Sequence, residues 1–381
     1  MKNSYFFSQV HHIFFTLSFI NAVLYMGLFA VGFSGFIEFS VDITLFHIIS
    51  MIYFIFTPAF IGFLFTTFPR FLSLPPIDIK IYTNLFFIFI ASTLLNILGA
   101  LFSETIFKIS LILLFIGVSL VVFILYRLHT GSTISIKDDT KFILIGFSFA
   151  PISLIFFIFE LNHIAVEVAI YNFLFVVSFS VAQRMVPFFS NVYPQKDSKF
   201  LLSVVVLLVI KTILESIFSG LSFFINFILA GIIAKEILRW QLPNARNFAM
   251  LYILHIALLW IPMAFLIGGI SEAMKLFFAV ETLALDIHIL MLGFLFTILI
   301  GFGTRVTIGH SRNQIRDTKF IKALFVSTQI VVLSRVLVSI ANIFDYDYSL
   351  LFYISVTLWI GLFLAWVFKF IKLFFIKGVK I

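Results

Sequence analysis

The chain contains no cysteine. That removes disulfides, thiolate metal sites and covalent haem attachment, so a metal here would have to be held by His, Met or carboxylate. Charge is scarce too, at 11% of residues against the roughly one quarter that soluble domains carry. Low-complexity linkers, nucleotide-binding glycine loops and long polar insertions are also missing; the longest connection, His129 to Lys141, is too short to be a domain. What fills the space is apolar: 62% hydrophobic residues, 56 of them Phe, and a mean hydropathy of +1.19. This composition predicts an all-α polytopic membrane bundle, with residues 1–381 forming one integral membrane domain and the lipid bilayer as its main partner.

Apolar runs lie near 13–36, 44–68, 80–103, 106–127, 141–160, 163–188, 200–219, 221–239, 248–270, 276–303, 319–343 and 349–376. Each is close to the roughly 18 to 20 residues a helix needs to cross a bilayer, so about twelve transmembrane helices are expected. The first run has no small-residue cleavage site behind it and reads as an anchor. Lys and Arg collect on alternate loops, among them Lys2, Arg70, Arg127, Lys196, Arg246, Arg312 and Lys380, while the opposite loops receive Lys108 and Lys275. That bias predicts both termini of a multi-pass protein in the cytoplasm. It also explains the basic surplus without nucleic acid, because the charges sit between apolar spans.

The stretch His288 to Arg312, HILMLGFLFTILIGFGTRVTIGHSR, stands apart. A histidine opens an apolar run, and Arg305, His310 and Arg312 close it. Ionisable groups at membrane depth are expensive and mark sites. On a continuous helix His310 would lie roughly 33 Å from His288, so the two serve different depths. Gly293, Thr297 and Gly301 form a small-residue stripe that admits either a packed helix or a flat cofactor.

Placed on the same map, His47 and His163 open the second and sixth spans at the outer face, His255 lies a third of the way into the ninth from the cytoplasmic side, and His288 lies near mid-membrane. His11, His12 and His129 read as interfacial anchors. Neutral imidazoles on facing helices hold haem or copper in a bundle without cysteine, with Met51 or Met291 able to complete a ligand set. Lys211 and Glu215, four apart, are spaced for an intrahelical pair, although Lys before Glu is the weaker order. Arg335 has no acid within a turn. Glu281, seven residues before His288, falls on the same helix face, where it would orient the ring through a water or pair with Arg335. Arg335 and Arg305 would also suit a haem propionate.

These residues resemble the NnrS family. Its corresponding helix shows a His, a Gly five residues on, a Thr-Arg pair and a Leu-Gly-His-Thr-Gly-Arg end; His288, Gly293, Thr304, Arg305, Gly309, His310 and Arg312 keep that register, with Ile308 and Ser311 as departures. The second span resembles the family's second-helix run through His47, Met51, Gly62, Phe63, Leu64, Thr66 and Pro69. RMVPFF matches at Arg184, Pro187, Phe188 and Phe189, and LHIALLWIPM at His255, Trp260 and Pro262.

The resemblance implies a twelve-helix inner-membrane protein with haem and copper, linked to nitric oxide metabolism and nitrosative-stress resistance. Under it, His288, His255, His47 and His310, with Arg305, Glu281 and Arg335, are the cofactor-binding candidates. His288, His255, His47, His163 and Met51 are the metal candidates; no catalytic residue is assigned. The family's His-x-His-Glu-Met run is broken here by Ile49 and Ser50, and Tyr171 stands where members show a histidine in the sixth span, which weakens a copper site at the outer rim most. A haem-binding protein without turnover is expected, or, if an enzyme, an oxidoreductase acting on nitric oxide. Two other classes remain open: a transporter using His288, Lys211, Glu215 and Arg335 without metal, and a haem–copper oxidase, for which a three-histidine copper set is lacking.

Overall fold

The computed structural model describes residues 4–135, 137–195, 197–218 and 220–380, which leaves Lys2 and Lys196 of the basic count outside the described residues. The chain is all-helical. Eleven helices among the described residues are long and apolar enough to cross a membrane. In chain order these are α1 (Val10–Phe33), α2 (Ile43–Phe71), α3 (Ile79–Phe102), α4 (Glu104–Gly131), α5 (Asp138–Ile158), α6 (Asn162–Phe189), α7 (Ser198–Ile217), α9 (Ala249–Phe278), α10 (Leu285–His310), α11 (Lys319–Ile343) and α12 (Ser349–Phe370). The eighth expected span folds as α8, Phe223–Arg239, a shorter helix of 17 residues. Among the described residues each of the twelve apolar runs thus holds one long helix.

Local chemistry sets the helix starts. Asp42 accepts the N–H of Leu45, Asp78 that of Lys80, Asp197 those of Lys199 and Phe200, and Thr318 that of Ile321, each side chain satisfying a donor that the first turn leaves open. At one loop Lys108 bridges Glu104 at 2.9 Å and Glu160 at 2.5 Å. This contact holds the Glu160 carboxyl below its usual range.

Two compact units divide the chain. The first takes residues 1–177, 306–314 and 363–381; the second takes residues 178–305 and 315–362. In the first, α1 packs on α2, α3 on α4, and α5 on α4 and α6, with Trp366 edge-on to Phe19 at 4.2 Å. In the second, α9 packs on α8 and α10, and Trp359 stacks on Phe296 at 4.7 Å.

Three helices depart from α geometry. Within α2, α6 and α10 the backbone widens to a π-helix at Ser50–Phe56, Val168–Phe175 and Ile289–Phe296. Thr57 and Thr297 close two of these stretches alike, each hydroxyl donating to the carbonyl five residues back, on Ile52 (2.8 Å) and Leu292 (2.9 Å). Just past the first, Pro58 has no N–H to give the carbonyl of Phe54; Asn21, buried on α1, supplies the missing donor at 2.9 Å, and Ser18 reaches the next carbonyl, Ile55, at 2.7 Å. Wide turns of this kind concentrate at functional sites.

Candidate functional site

The π-helical stretches mark the second, sixth and tenth helices, a period of four. Each of these helices opens on a histidine: His47 in α2, His163 in α6 and His288 in α10. The His47 ring stacks on Phe29 with centroids 4.2 Å apart, and Met51 lies buried in the π-helical stretch that follows it.

His288 requires a correction in depth. The tenth span was expected from residue 276, which put His288 near mid-membrane; α9 instead continues to Phe278 and α10 starts at Leu285. Ala279, Leu283 and Ala284 turn the chain with φ of 54°, 49° and 51°, left-handed values at residues that give no glycine signal in the sequence. His288 therefore sits in the first turn of its helix. Glu281 falls in the connecting segment, off the helix, so the shared-face argument fails. Its side chain is exposed and meets Lys275 at 3.4 Å.

The glycine stripe is used for packing. A Cβ on Gly293 would come within 2.5 Å of Trp260 Cγ, and one on Gly301 within 2.8 Å of Leu254 Cδ2. These two contacts set α9 and α10 antiparallel, and they fix the register. His255 falls level with about residue 299, some eleven residues from His288, or roughly 16 Å along the axis. The two rings thus occupy different depths, too far apart along the axis to hold one metal ion together. His255 has its own engagement, with Ser190 Oγ 2.9 Å from Nε2.

Motifs that were separate in sequence do meet in the second unit. The Arg305 guanidinium lies 3.8 Å from the centre of the Phe189 ring, joining the end of α10 to the Arg-x-x-Pro-Phe-Phe edge. Ser190, next in that edge, holds His255. Trp260 packs on Gly293, and its indole N–H donates to Gln329 Oε1 at 2.8 Å; Gln329 Nε2 in turn reaches Thr297 Oγ1 at 3.3 Å. Arg335 is satisfied without an acid. It donates to Ser339 Oγ at 2.8 Å and to the Leu283 carbonyl at 3.0 Å, and makes no ion pair among the described residues.

A second gathering, which the sequence reading missed, lies in the first unit. His11 and His12, expected as interfacial anchors, are 1% and 3% exposed. Their ring centroids are 4.6 Å apart, and His310 stands 4.8 Å from His11. Arg70, at the end of α2, is near enough for its charge to act on both His11 and His310. Two buried nitrogens here, His11 Nδ1 and His310 Nε2, have no hydrogen-bond partner. The only early signal was the adjacency of two histidines at a helix start, which by itself says nothing about a distant third.

The histidines of the signature stretch share one arrangement. His288 Nδ1 lies 2.8 Å from the Ala284 carbonyl and His310 Nδ1 lies 3.0 Å from that of Val306, each four residues back. His12 Nδ1 likewise faces the Tyr5 carbonyl at 3.2 Å. A carbonyl only accepts, so each Nδ1 carries the hydrogen and each Nε2 carries the lone pair, the tautomer used by metal-ligating histidine. Among the described residues, no group of three or more His, Cys, Asp or Glu is arranged to hold a metal ion.

A polytopic helical membrane protein, with histidines heading its distorted helices and a basic, histidine-bearing helix end, is the class these features define. Compared with protein-family models, residues 5–377 match that of the NnrS protein. The chain belongs to the NnrS family. No curated protein matches it.

Proposed function

We propose that the chain is a haem-binding inner-membrane protein of the nitric oxide response, acting as one NnrS-like integral domain with both termini in the cytoplasm. The observation that carries this reading is the preset tautomer of His288, whose Nδ1–H bond to Ala284 turns Nε2 into the ring's lone-pair atom at the head of a π-helical stretch. A neutral imidazole on a helix is the donor that haem iron takes in a chain without cysteine. Haem, when bound, supplies an iron open to a small uncharged gas, and nitric oxide reaches such a site through lipid without a polar channel.

The surrounding residues have defined tasks in this reading. Ala284 orients the His288 ring. Arg335, held by Ser339 and Leu283, is the cation available to a propionate; Arg305, over Phe189, stands near the other end of α10, roughly 25 Å along the axis from His288. In this reading His255, offset from His288 along the helices and bonded to Ser190, is not the iron's second ligand. Copper fits the buried pair His11 and His310 better than the outer rim: two neutral imidazoles with unpartnered nitrogens suit monovalent copper, which accepts few ligands. His47, Met51 and His163 remain metal candidates at the heads of α2 and α6.

The test is an oxidised and reduced absorption spectrum of purified protein, with iron and copper analysis, before and after nitric oxide. A Soret band that shifts on adding the gas and is lost in His288→Ala supports the reading. A colourless, iron-free protein from haem-supplied cells would leave the transporter class as the better account of the buried charges.

A further inference from the structure

In the second unit, Ser222, just before α8, stands between two carboxylates: its Oγ is 2.9 Å from Glu215 Oε2 on α7 and 2.7 Å from Glu272 Oε2 on α9. A hydroxyl has one hydrogen. It can donate to one of these oxygens only, and the other contact would set lone pair against lone pair unless that carboxyl carries a proton and donates to Ser222. Glu215 Oε2 also takes the backbone N–H of Gly220 at 2.9 Å, so it is the oxygen that accepts. The extra proton therefore falls on Glu272.

Charge counting agrees. The Lys211 side chain is 1% exposed and that of Glu272 is 13% exposed, and their ion pair is long at 3.5 Å, where charge-assisted bonds run about 2.7–2.9 Å. Lys211 and Glu215 on α7 carry one positive and one negative charge, which sum to zero. A second carboxylate would add a net buried charge, which is costly. The other charged groups that face Glu272 are few: Asp286 on α10 acts on it, Lys275 on its own helix turns outward to Glu281, and α8 offers Ser222 and Asn226 without charge.

Asn226 is the independent sign that something is to be bound here. It is one turn beyond Ser222, 1% exposed, and its Nδ2 has no hydrogen-bond partner. Gly268, one turn before Glu272, lets α9 come close at this point: a Cβ there would stand 3.3 Å from Asn226 Nδ2 and 3.3 Å from Asp286 Oδ2, tighter than an ordinary contact.

We propose that Glu272, Ser222 and Glu215 form a proton-holding and proton-passing site. The proton on Glu272 Oε2 moves to Ser222 Oγ as the Ser222 hydrogen moves to Glu215 Oε2. One O–H bond breaks and one forms at the serine, so the hydroxyl is restored, Glu272 becomes a carboxylate and Glu215 becomes the acid. The site stands independently of the haem reading.

Infrared difference spectroscopy on the full chain, in water and in deuterated water, tests it. The wild type should show at neutral pH a carboxylic-acid C=O band that shifts on deuteration, is absent from Glu272→Gln and persists in Glu215→Gln. Should Glu272→Gln fail to fold, Ser222→Ala keeps both carboxyls and should move the same band, because the acid loses its acceptor. Wild-type and Glu272→Gln spectra that are identical, or a band in Ser222→Ala that does not move, would overturn the proposal. Thermal melting adds a second readout: Glu272→Gln, amide for neutral acid, should melt like wild type, whereas Glu215→Gln should melt lower. The reverse order would place the charge on Glu272 and sink the assignment.

Discussion

The indole of Trp260 occupies the space a side chain at position 293 would need, so that even a methyl group on Gly293 would come within 2.8 Å of Trp260 Cβ. This contact locks α9 to α10 and sets the depth of every group on the signature helix. Ala at position 293 must push the helices apart or turn the ring away from Gln329. We expect Gly293→Ala to destabilise the protein by about 1–3 kcal/mol, as overpacked cores do, and Gly293→Leu to prevent assembly. Thermal melting of detergent-purified protein reads both, and an unchanged melt in Gly293→Leu would show that α9 and α10 do not pack in this register.

The register also separates two histidines that sequence alone left equivalent. His288→Ala should abolish the haem spectrum. His255→Ala should keep it, because His255 lies roughly 16 Å along the helix axis from His288 and is bonded to Ser190. Equal loss of the Soret band in both variants would contradict that separation.

Much of this was legible in the residues, and the failures have physical causes. Twelve apolar runs gave twelve helices because lipid leaves a chain no other way to satisfy its backbone. The residues of the signature were found because charge in an apolar run is expensive. Their depths were not, since the break at Ala279 to Ala284 is made by left-handed residues without glycine or proline. The π-helical stretches are invisible for a similar reason: in helices buried nearly all round, one extra residue per turn disturbs no hydrophobic period. The His11, His12 and His310 gathering, and the Glu272 partner of Lys211, join residues far apart in the chain, which spacing cannot show.

Copper should follow the buried histidine pair. Loading purified protein with monovalent copper and removing the excess should leave metal bound in the wild type. His11→Ala and His310→Ala should each lose it, while His129→Ala, at another helix end, should retain it. His310→Met, which replaces imidazole with another soft neutral donor, should restore part of the binding. Copper retained in full by both alanine variants would move the site back to the outer rim at His47, Met51 and His163.

Asn21 offers a test of the fold that no cofactor enters. Its Nδ2 donates to the Phe54 carbonyl at 2.9 Å, where Pro58 withholds the helix's own donor, and it also reaches Thr93 Oγ1 at 3.4 Å. Asn21→Leu keeps similar bulk and removes the donor, leaving a carbonyl unpaired among apolar groups. The loss should be about 1–3 kcal/mol, the cost of stranding a buried acceptor. In the double variant Asn21→Leu, Pro58→Ala a backbone N–H returns to position 58 and can serve Phe54 from within the helix, so much of the lost stability should come back. If the second change adds its own destabilisation instead, Asn21 is not acting as the substitute for the proline's missing hydrogen, and the wide turn of α2 must be held by some other contact.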